Sequence, residues 1–300
     1  MRKLLQDGIN PDTVFVGSDG LGKPLVWSPM HLCCEKGREA CCRLLLSFGA
    51  NIDDIDRWGH TPLMYAVHIE WSRLVALFIQ HGADLNLPER QGRTALHLAI
   101  ECSDESFIKM LLNAGANIDA HDNFGRSALW RAVSEDGHEN KIRVLLEHGA
   151  NTNKYDLQGN NTGGTPLLTA TLNGREDICR ELIRYNCAIN ITGEVKIAGV
   201  TLSISPLQCA AYVGHETIVQ LLINVGAKML LREDLSMLDS DCSALILEAM
   251  TCVPALMHLC RVRYREHLGL NLSKQLSSMA FPVAVLRYIL MEDILQTQNN

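Results

Sequence analysis

Hydrophobic and polar positions along the chain fall into one pattern that returns six times. A Ser or Thr precedes a short apolar segment, a second apolar segment follows, a small residue pair closes it, and a polar stretch rich in Asn, Asp and Gly leads on. The openings are "SPMHLCC" from Ser28, "TPLMYAV" from Thr61, "TALHLAI" from Thr94, "SALWRAV" from Ser127, "TPLLTAT" from Thr165 and "SPLQCAA" from Ser205. They stand 33, 33, 33, 38 and 40 residues apart. The closing marker keeps step: "FGAN" with Ala50, "HGAD" with Ala83, "AGAN" with Ala116, "HGAN" with Ala150, "NCAI" with Ala188 and "VGAK" with Ala227. It follows each opening by 22 or 23 residues. A fixed period of this length marks a stacked repeat architecture.

Each unit reads physically as helix, turn, helix, hairpin-like loop. The Thr or Ser hydroxyl accepts from an orphan N–H of the first turn. Pro at the next position has a helical φ and no N–H to waste. Leu and Ala then face inward. The second helix is carried by segments such as "RLVALFI" (Arg73–Ile79) and "IKMLL" (Ile108–Leu112). Gly supplies its left-handed cap, and stretches such as "NIDDIDRWG" make the turn to the next unit. The extra residues of the later periods fall in "QGNNTGG" and "ITGEVKIAGVTLS".

These residues resemble the ankyrin repeat, whose signature is T-P-L-H-x-A. The resemblance covers residues 25–230 as about six repeats. Residues 1–24, with "MRKLLQDGIN", read as a partial N-terminal repeat, and 231–251, with "SALILEAM" from Ser243, as a degenerate capping repeat or linker. His31 and His97 occupy the signature histidine, where a structural bond to loop backbone is expected. Met64, Trp130, Leu168 and Gln208 replace it elsewhere, which excludes a shared catalytic histidine. A stack of such units binds through an extended face and a row of loop tips. The tips offer Arg57 and Trp58, Arg90 and Gln91, and Asn123 and Phe124 as target-binding candidates, because an aromatic beside a polar neighbour suits an interface. The competing expectation is that Trp58 and Phe124 pack on the next hairpin.

After Ala227 the period ends. "VPALMHLCRVRYREHLG" (Val253–Gly269) opens a different helix, in which Leu256, Cys260, Tyr264 and Leu268 recur four residues apart with Met257 beside them. Leu259 and Val262 give it a second apolar surface, and Arg261 and Arg265 rim the stripe. Residues 252–300 resemble the SOCS box, whose first helix carries L-x-x-x-C, here "LMHLC". The resemblance implies a small three-helix module. In it Leu256, Met257, Cys260, Tyr264 and Leu268 would dock on elongin C of the elongin B–elongin C pair. It implies a cullin contact, through the fifth cullin with its RING protein, at Phe281, Pro282, Val285 and Tyr288. Pro282 fits the second proline of the family's L-P-x-P motif, whereas Ala280 replaces the first and Tyr264 stands where a small aliphatic residue is usual.

Composition narrows the function. The 300 residues carry a formal net charge of −7, which argues against a nucleic-acid or anionic-membrane binder. No apolar run reaches a membrane span's length, and the N-terminus lacks a signal peptide's apolar core. Eleven cysteines without C-x-x-C spacing read as free buried thiols of a reducing compartment. There is no P-loop, G-x-S-x-G or H-E-x-x-H; "SFIK" (Ser106–Lys109) matches S-x-x-K only as ordinary solvent-side residues in the middle of the third unit's second helix. The expectation is an all-α chain: an ankyrin solenoid followed by a SOCS-box-like module, without catalysis, cofactor or metal, and cytoplasmic, with the nucleus also open. It would act as a substrate-recognition adaptor of an elongin–cullin–RING ubiquitin ligase. The alternative is an ankyrin scaffold without ligase recruitment.

Overall fold

The structure is a computed structural model that describes residues 2–13, 15–18, 24–135, 138–154, 156–158, 162–197 and 200–228. Residues 231–300, and with them the whole SOCS-box-like segment, lie outside the described residues.

Six helix pairs follow one another: α2 (Pro29–Glu35) with α3 (Glu39–Ser47), α4 (Pro62–His68) with α5 (Ser72–Gln80), α6 (Ala95–Ala99) with α7 (Ser106–Asn113), α8 (Ala128–Ser134) with α9 (Glu139–Glu147), α10 (Pro166–Leu172) with α11 (Glu176–Arg184), and α12 (Pro206–Val213) with α13 (Glu216–Asn224). A short α1 (Arg2–Gln6) precedes them. Each first helix begins directly after the Ser or Thr expected to cap it. Thr61, Thr165 and Ser205 accept from the amide three residues on at 3.3 Å. Thr94 and Ser205 form capping boxes completed by His97 and Gln208. One residue recurs five positions after each cap: Ala66, Ala99, Ala132, Ala170 and Ala210 are all fully buried. A methyl there lets neighbouring first helices such as α4 and α6, or α10 and α12, pack closely, and only the first repeat puts a larger Cys33 in its place.

The second helices end on left-handed residues: Gly49, Gly82, Gly115, Gly149 and Gly226, and in the fifth repeat Asn186 at φ 60°. Asn is the next best residue for that conformation. The fifth repeat thereby corrects the sequence register by one. Cys187, whose amide donates to the Leu182 carbonyl at 3.2 Å, takes the place Ala50 holds when it donates to Leu45 at 3.1 Å. Ala188 lies one position beyond. Another correction concerns "SFIK": Ser106 is the first residue of α7, where its amide and hydroxyl bond the Asp104 carboxylate, rather than a mid-helix position.

The all-α expectation is also corrected, because six strands are present among the described residues. β1 (Phe15–Ser18) pairs antiparallel with β2 (Pro24–Trp27). β3 (Asp156–Gln158), β4 (Thr162–Gly164), β5 (Gly193–Ile197) and β6 (Val200–Ile204) form an antiparallel sheet in that order. The strands fall in the residues that lengthen the later periods, and the physical reason is alternation. Along β5 and β6, Val195 and Ile204 are buried while Glu194, Lys196, Thr201 and Ser203 are exposed. That period of two suits a half-buried hairpin. Val195 and Ile204 pack with Leu168 of α10 and Cys209 of α12.

Two compact bodies divide the chain. The described residues up to 132 together with 138–150 make the first; 133–135 and the described residues from 151 onward make the second. Within each, successive repeats are joined by polar ties as well as apolar contact. The Asp53, Asn86, Asn153 and Asn190 side chains accept from amides of the following repeat, at Asp84, Asn117, Ala188 and Lys228. Glycine is required where the turn of one repeat meets the next. Gly37 has φ +60°, and a Cβ there would come within 1.6 Å of the Trp71 ring. Gly37→Ala is expected to cost about 1–3 kcal/mol through left-handed strain with the ring displacement added. Trp71→Ala in the same chain should recover only the second part. Urea unfolding of both variants checks this, and an unchanged midpoint in Gly37→Ala would contradict it.

Candidate protein-interaction surface

In the first body three loop tips recur 33 residues apart, and each is built around a buried carboxylate: Asp56, Glu89 and Asp122. Asp56 accepts from the Trp58 and His60 amides, both at 2.8 Å, and from the Tyr65 hydroxyl at 2.8 Å. Asp122 accepts from the Phe124 and Arg126 amides at 2.9 Å and from Arg126 Nε at 2.7 Å. Glu89 accepts from Arg93 Nε at 2.9 Å. The carboxylate gathers the loop amides that no strand or helix would satisfy.

The tips also bond to one another. The Arg90 amide donates to the Trp58 carbonyl at 3.0 Å, and the Asn123 amide to the Gln91 carbonyl at 2.8 Å. Asn123 Nδ2 donates to the Arg90 carbonyl at 2.8 Å. The signature histidines hold the same loops from below. His31 Nε2–H donates to the His60 carbonyl at 2.9 Å, and His97 Nε2–H to the Arg126 carbonyl at 3.0 Å. Because a carbonyl only accepts, Nε2 carries the proton. Nδ1 then accepts from Ser28 in one case and Thr94 in the other. Burial lowers both histidine pKa values, in keeping with neutral rings.

Burial by itself would raise the Asp56 carboxyl. The bonds from His60, Tyr65 and Trp58 more than offset that and hold it at about 2, below its ordinary 3.8. Burial, and then the Asp56 carboxylate, push the Tyr65 phenol above its ordinary range. A depressed carboxyl contributes stability that is present above about pH 4 and is lost as pH falls through about 2. The contribution is about 2 kcal/mol. Asp56→Asn is therefore expected to be less stable than the wild type at pH 6 and to converge on it by pH 2. Urea unfolding across that range measures the convergence, and a pH-independent difference would contradict it.

A pocket of about 340 Å³ lies beside the first tip. Buried Met64 and Leu98 line it together with Trp58, His60 and Tyr65. Arg93 and Glu101, 3.4 Å apart, and exposed His68 complete the lining. Arg93 also pairs with Glu89 at 2.9 Å, and Glu101 also pairs with Arg131.

The six tip residues singled out from sequence thus stand in one row. Trp58 is half-buried, with the Arg57 guanidinium 3.9 Å above its ring, and lines the pocket. Phe124 is 48% exposed, with Arg126 4.6 Å from its ring centre. Arg90 and Gln91 are exposed, and the Asn123 amide is engaged by the neighbouring tip. Tyr65, Arg93, Leu98 and Glu101 were missed from sequence. The signal available for the loops was the acidic residue five positions before each cap. The elongin-directed residues Leu256, Met257, Cys260, Tyr264 and Leu268, and the cullin-directed Phe281, Pro282, Val285 and Tyr288, lie outside the described residues.

None of the eight described cysteines is in a disulfide. The bond with Cys42, and then burial, raise the Cys33 thiol; the same bond lowers Cys42, but its bond with Cys34 and its burial outweigh that and raise it, which suits packing rather than nucleophilic chemistry. Among the described residues no cluster of His, Cys, Asp or Glu is arranged to hold a metal, and no helix is long and apolar enough to cross a membrane.

The comparisons agree with this architecture. The model of ankyrin repeats (3 copies) matches in overlapping registers over residues 3–87, 30–122, 67–156, 107–194 and 154–233. Among solved structures, the crystal structure of the ankyrin repeat domain of Bcl-3, titled a unique member of the IkappaB protein family, aligns with a TM-score of 0.63 at 25% identity. The alignment covers 74% of this chain and 98% of that one. No curated protein matches. With its repeat period, caps and loop ties accounted for, the chain belongs to the ankyrin-repeat family.

Proposed function

We propose that this chain is a substrate-recognition adaptor. Its ankyrin repeats capture a target protein, and residues 252–300 link it through elongins C and B to a cullin and RING-protein ubiquitin ligase. The observation that carries target capture is the row of bonded tips beside a pocket, with Trp58 shared by both. A rigid row of loops presenting an aromatic and arginines is well suited to an interface. Ligase recruitment is supported by the sequence stripe Leu256–Cys260 and by its position after the repeats. The adaptor contributes proximity, raising the local concentration of target lysines near the charged ubiquitin carrier.

The second reading, a scaffold that recruits no cullin, is favoured by one feature: Ala280 occupies the place of the first motif proline. Either way Trp58 is the expected anchor. Trp58→Ala should reduce target capture by about 30-fold, corresponding to about 2 kcal/mol for a hot spot. Quantitative affinity capture of the tagged chain from cells, paired with melting curves, tests it. The expected result is target lost, elongins retained and melting unchanged. Lowered melting with undiminished capture would overturn the assignment of Trp58.

A further inference from the structure

We infer that the pocket beside Trp58 docks a short acidic peptide segment of the partner. One large apolar side chain of that segment enters between Tyr65, Met64 and Leu98, and a neighbouring Asp or Glu pairs with Arg90. This rests on the reading that the face binds a target, and it specifies the chemistry of what is bound.

Size comes first. About 340 Å³ lies at the low end of the roughly 300–1,000 Å³ typical of small-molecule sites. It suits a single inserted side chain. Most of the polar groups that line it are already engaged: Arg93 with Glu89 and Glu101, Glu101 also with Arg131, and Tyr65 and His60 with Asp56, which leaves exposed His68. They offer a ligand little convergent hydrogen bonding, whereas Trp58, Tyr65, Met64 and Leu98 offer apolar surface. The pocket therefore selects for an apolar group.

Charge decides what flanks that group. Asp56 and Glu89 are sealed beneath the loops, their side chains 0% and 3% exposed. Glu101, the exposed carboxylate of the lining, is shared by two guanidiniums. Arg57 lies over the Trp58 ring. Arg90 is exposed and fixed beside Trp58 by its backbone amide, and its guanidinium enters no ion pair among the described residues. Arg90 thus presents an exposed cation beside the pocket although the chain carries −7 overall. An acidic segment gains Coulomb attraction to Arg90, and a basic one is repelled by it.

Selection of a random 12-residue peptide library on phage against the full-length chain tests this. The expected enriched peptides carry Leu, Met, Phe or Trp within three positions of an Asp or Glu. A fluorescent synthetic copy should bind at least tenfold more weakly to Arg90→Glu, and more weakly still to His68→Trp, which adds bulk to the pocket lining. Both sites are exposed, so melting should not change. Neutral or basic peptides that His68→Trp nonetheless displaces would overturn the acidic assignment while leaving the face as a binding site. No enrichment, or peptides insensitive to both variants, would overturn the pocket and the target-face reading together.

Discussion

Leu256→Ala combined with Cys260→Ala is expected to weaken binding of the full-length chain to purified elongin B–elongin C by two orders of magnitude or more. The argument is one of buried area. The two residues stand four apart in sequence, so in the helix that the pattern predicts they share one stripe, with Leu259 and Val262 giving apolar surface on a second side. A helix apolar on two sides needs two partners, and the stack before it can supply one. Burying a Leu side chain contributes roughly 1.5–3 kcal/mol, and the Cys adds its smaller apolar area. Toward the upper part of that range the two together reach the 2.8 kcal/mol or so that corresponds to a factor of about a hundred. Val262→Ala, on the other surface, is expected to act on folding of the segment instead. Calorimetric titration of the three chains measures this. Undiminished affinity in the double variant would remove the elongin assignment.

The largest expected effect on stability comes from Lys141. Its side chain is buried, and its ammonium donates to the Ile100 carbonyl at 2.7 Å and to the Cys102 carbonyl, with His138 Nδ1 at 3.2 Å. These carbonyls lie just past the C-terminal end of α6, where intrahelical donors run out and a cation is favoured. Each charge-assisted bond is worth about 1.5–3 kcal/mol, and an acceptor left buried without its donor costs a comparable amount. Lys141→Ala should therefore destabilise by about 3 kcal/mol or more. Lys141→Met retains the packed stem and should lose nearly as much, which separates the ammonium from the methylenes. Because a repeat stack holds its stability between neighbours, hydrogen exchange should quicken first in α6 to α9. A loss under about 1 kcal/mol, or a uniform rise in exchange, would contradict this account. The second body contains a counterpart: Arg175 Nη1 donates to the Val133 carbonyl at 3.1 Å and to that of Glu135.

The helix starts were legible because a cap is local chemistry. Ser28 through Ser205 carry their meaning within four residues. The strands were not, because attention to a 33-residue period makes the additional residues look like loop. The alternation of Glu194, Val195 and Lys196 needed a period of two to be seen. The slip from Cys187 to Ala188 has a related cause. The left-handed position was read from Gly, and Asn186 filled it unrecognised. The tips were visible as a row of residue types, but not the use made of each. Asn123 reads as an exposed amide, yet it bonds a neighbouring carbonyl. The pocket could not be read, since Trp58 and Glu101 meet only when adjacent repeats stack.

One measurement reaches the central claim, that target capture and ligase recruitment belong to different parts of one chain. A photo-crosslinking amino acid is placed at Gln91 in one full-length variant and at Met257 in another, each is expressed in cells, and the adducts are identified by mass spectrometry. The account predicts that Met257 yields elongin C, that Gln91 yields a different protein, and that neither adduct appears from the other position. Absence of elongin C from the Met257 adducts, or recovery of the same protein from both positions, would contradict it.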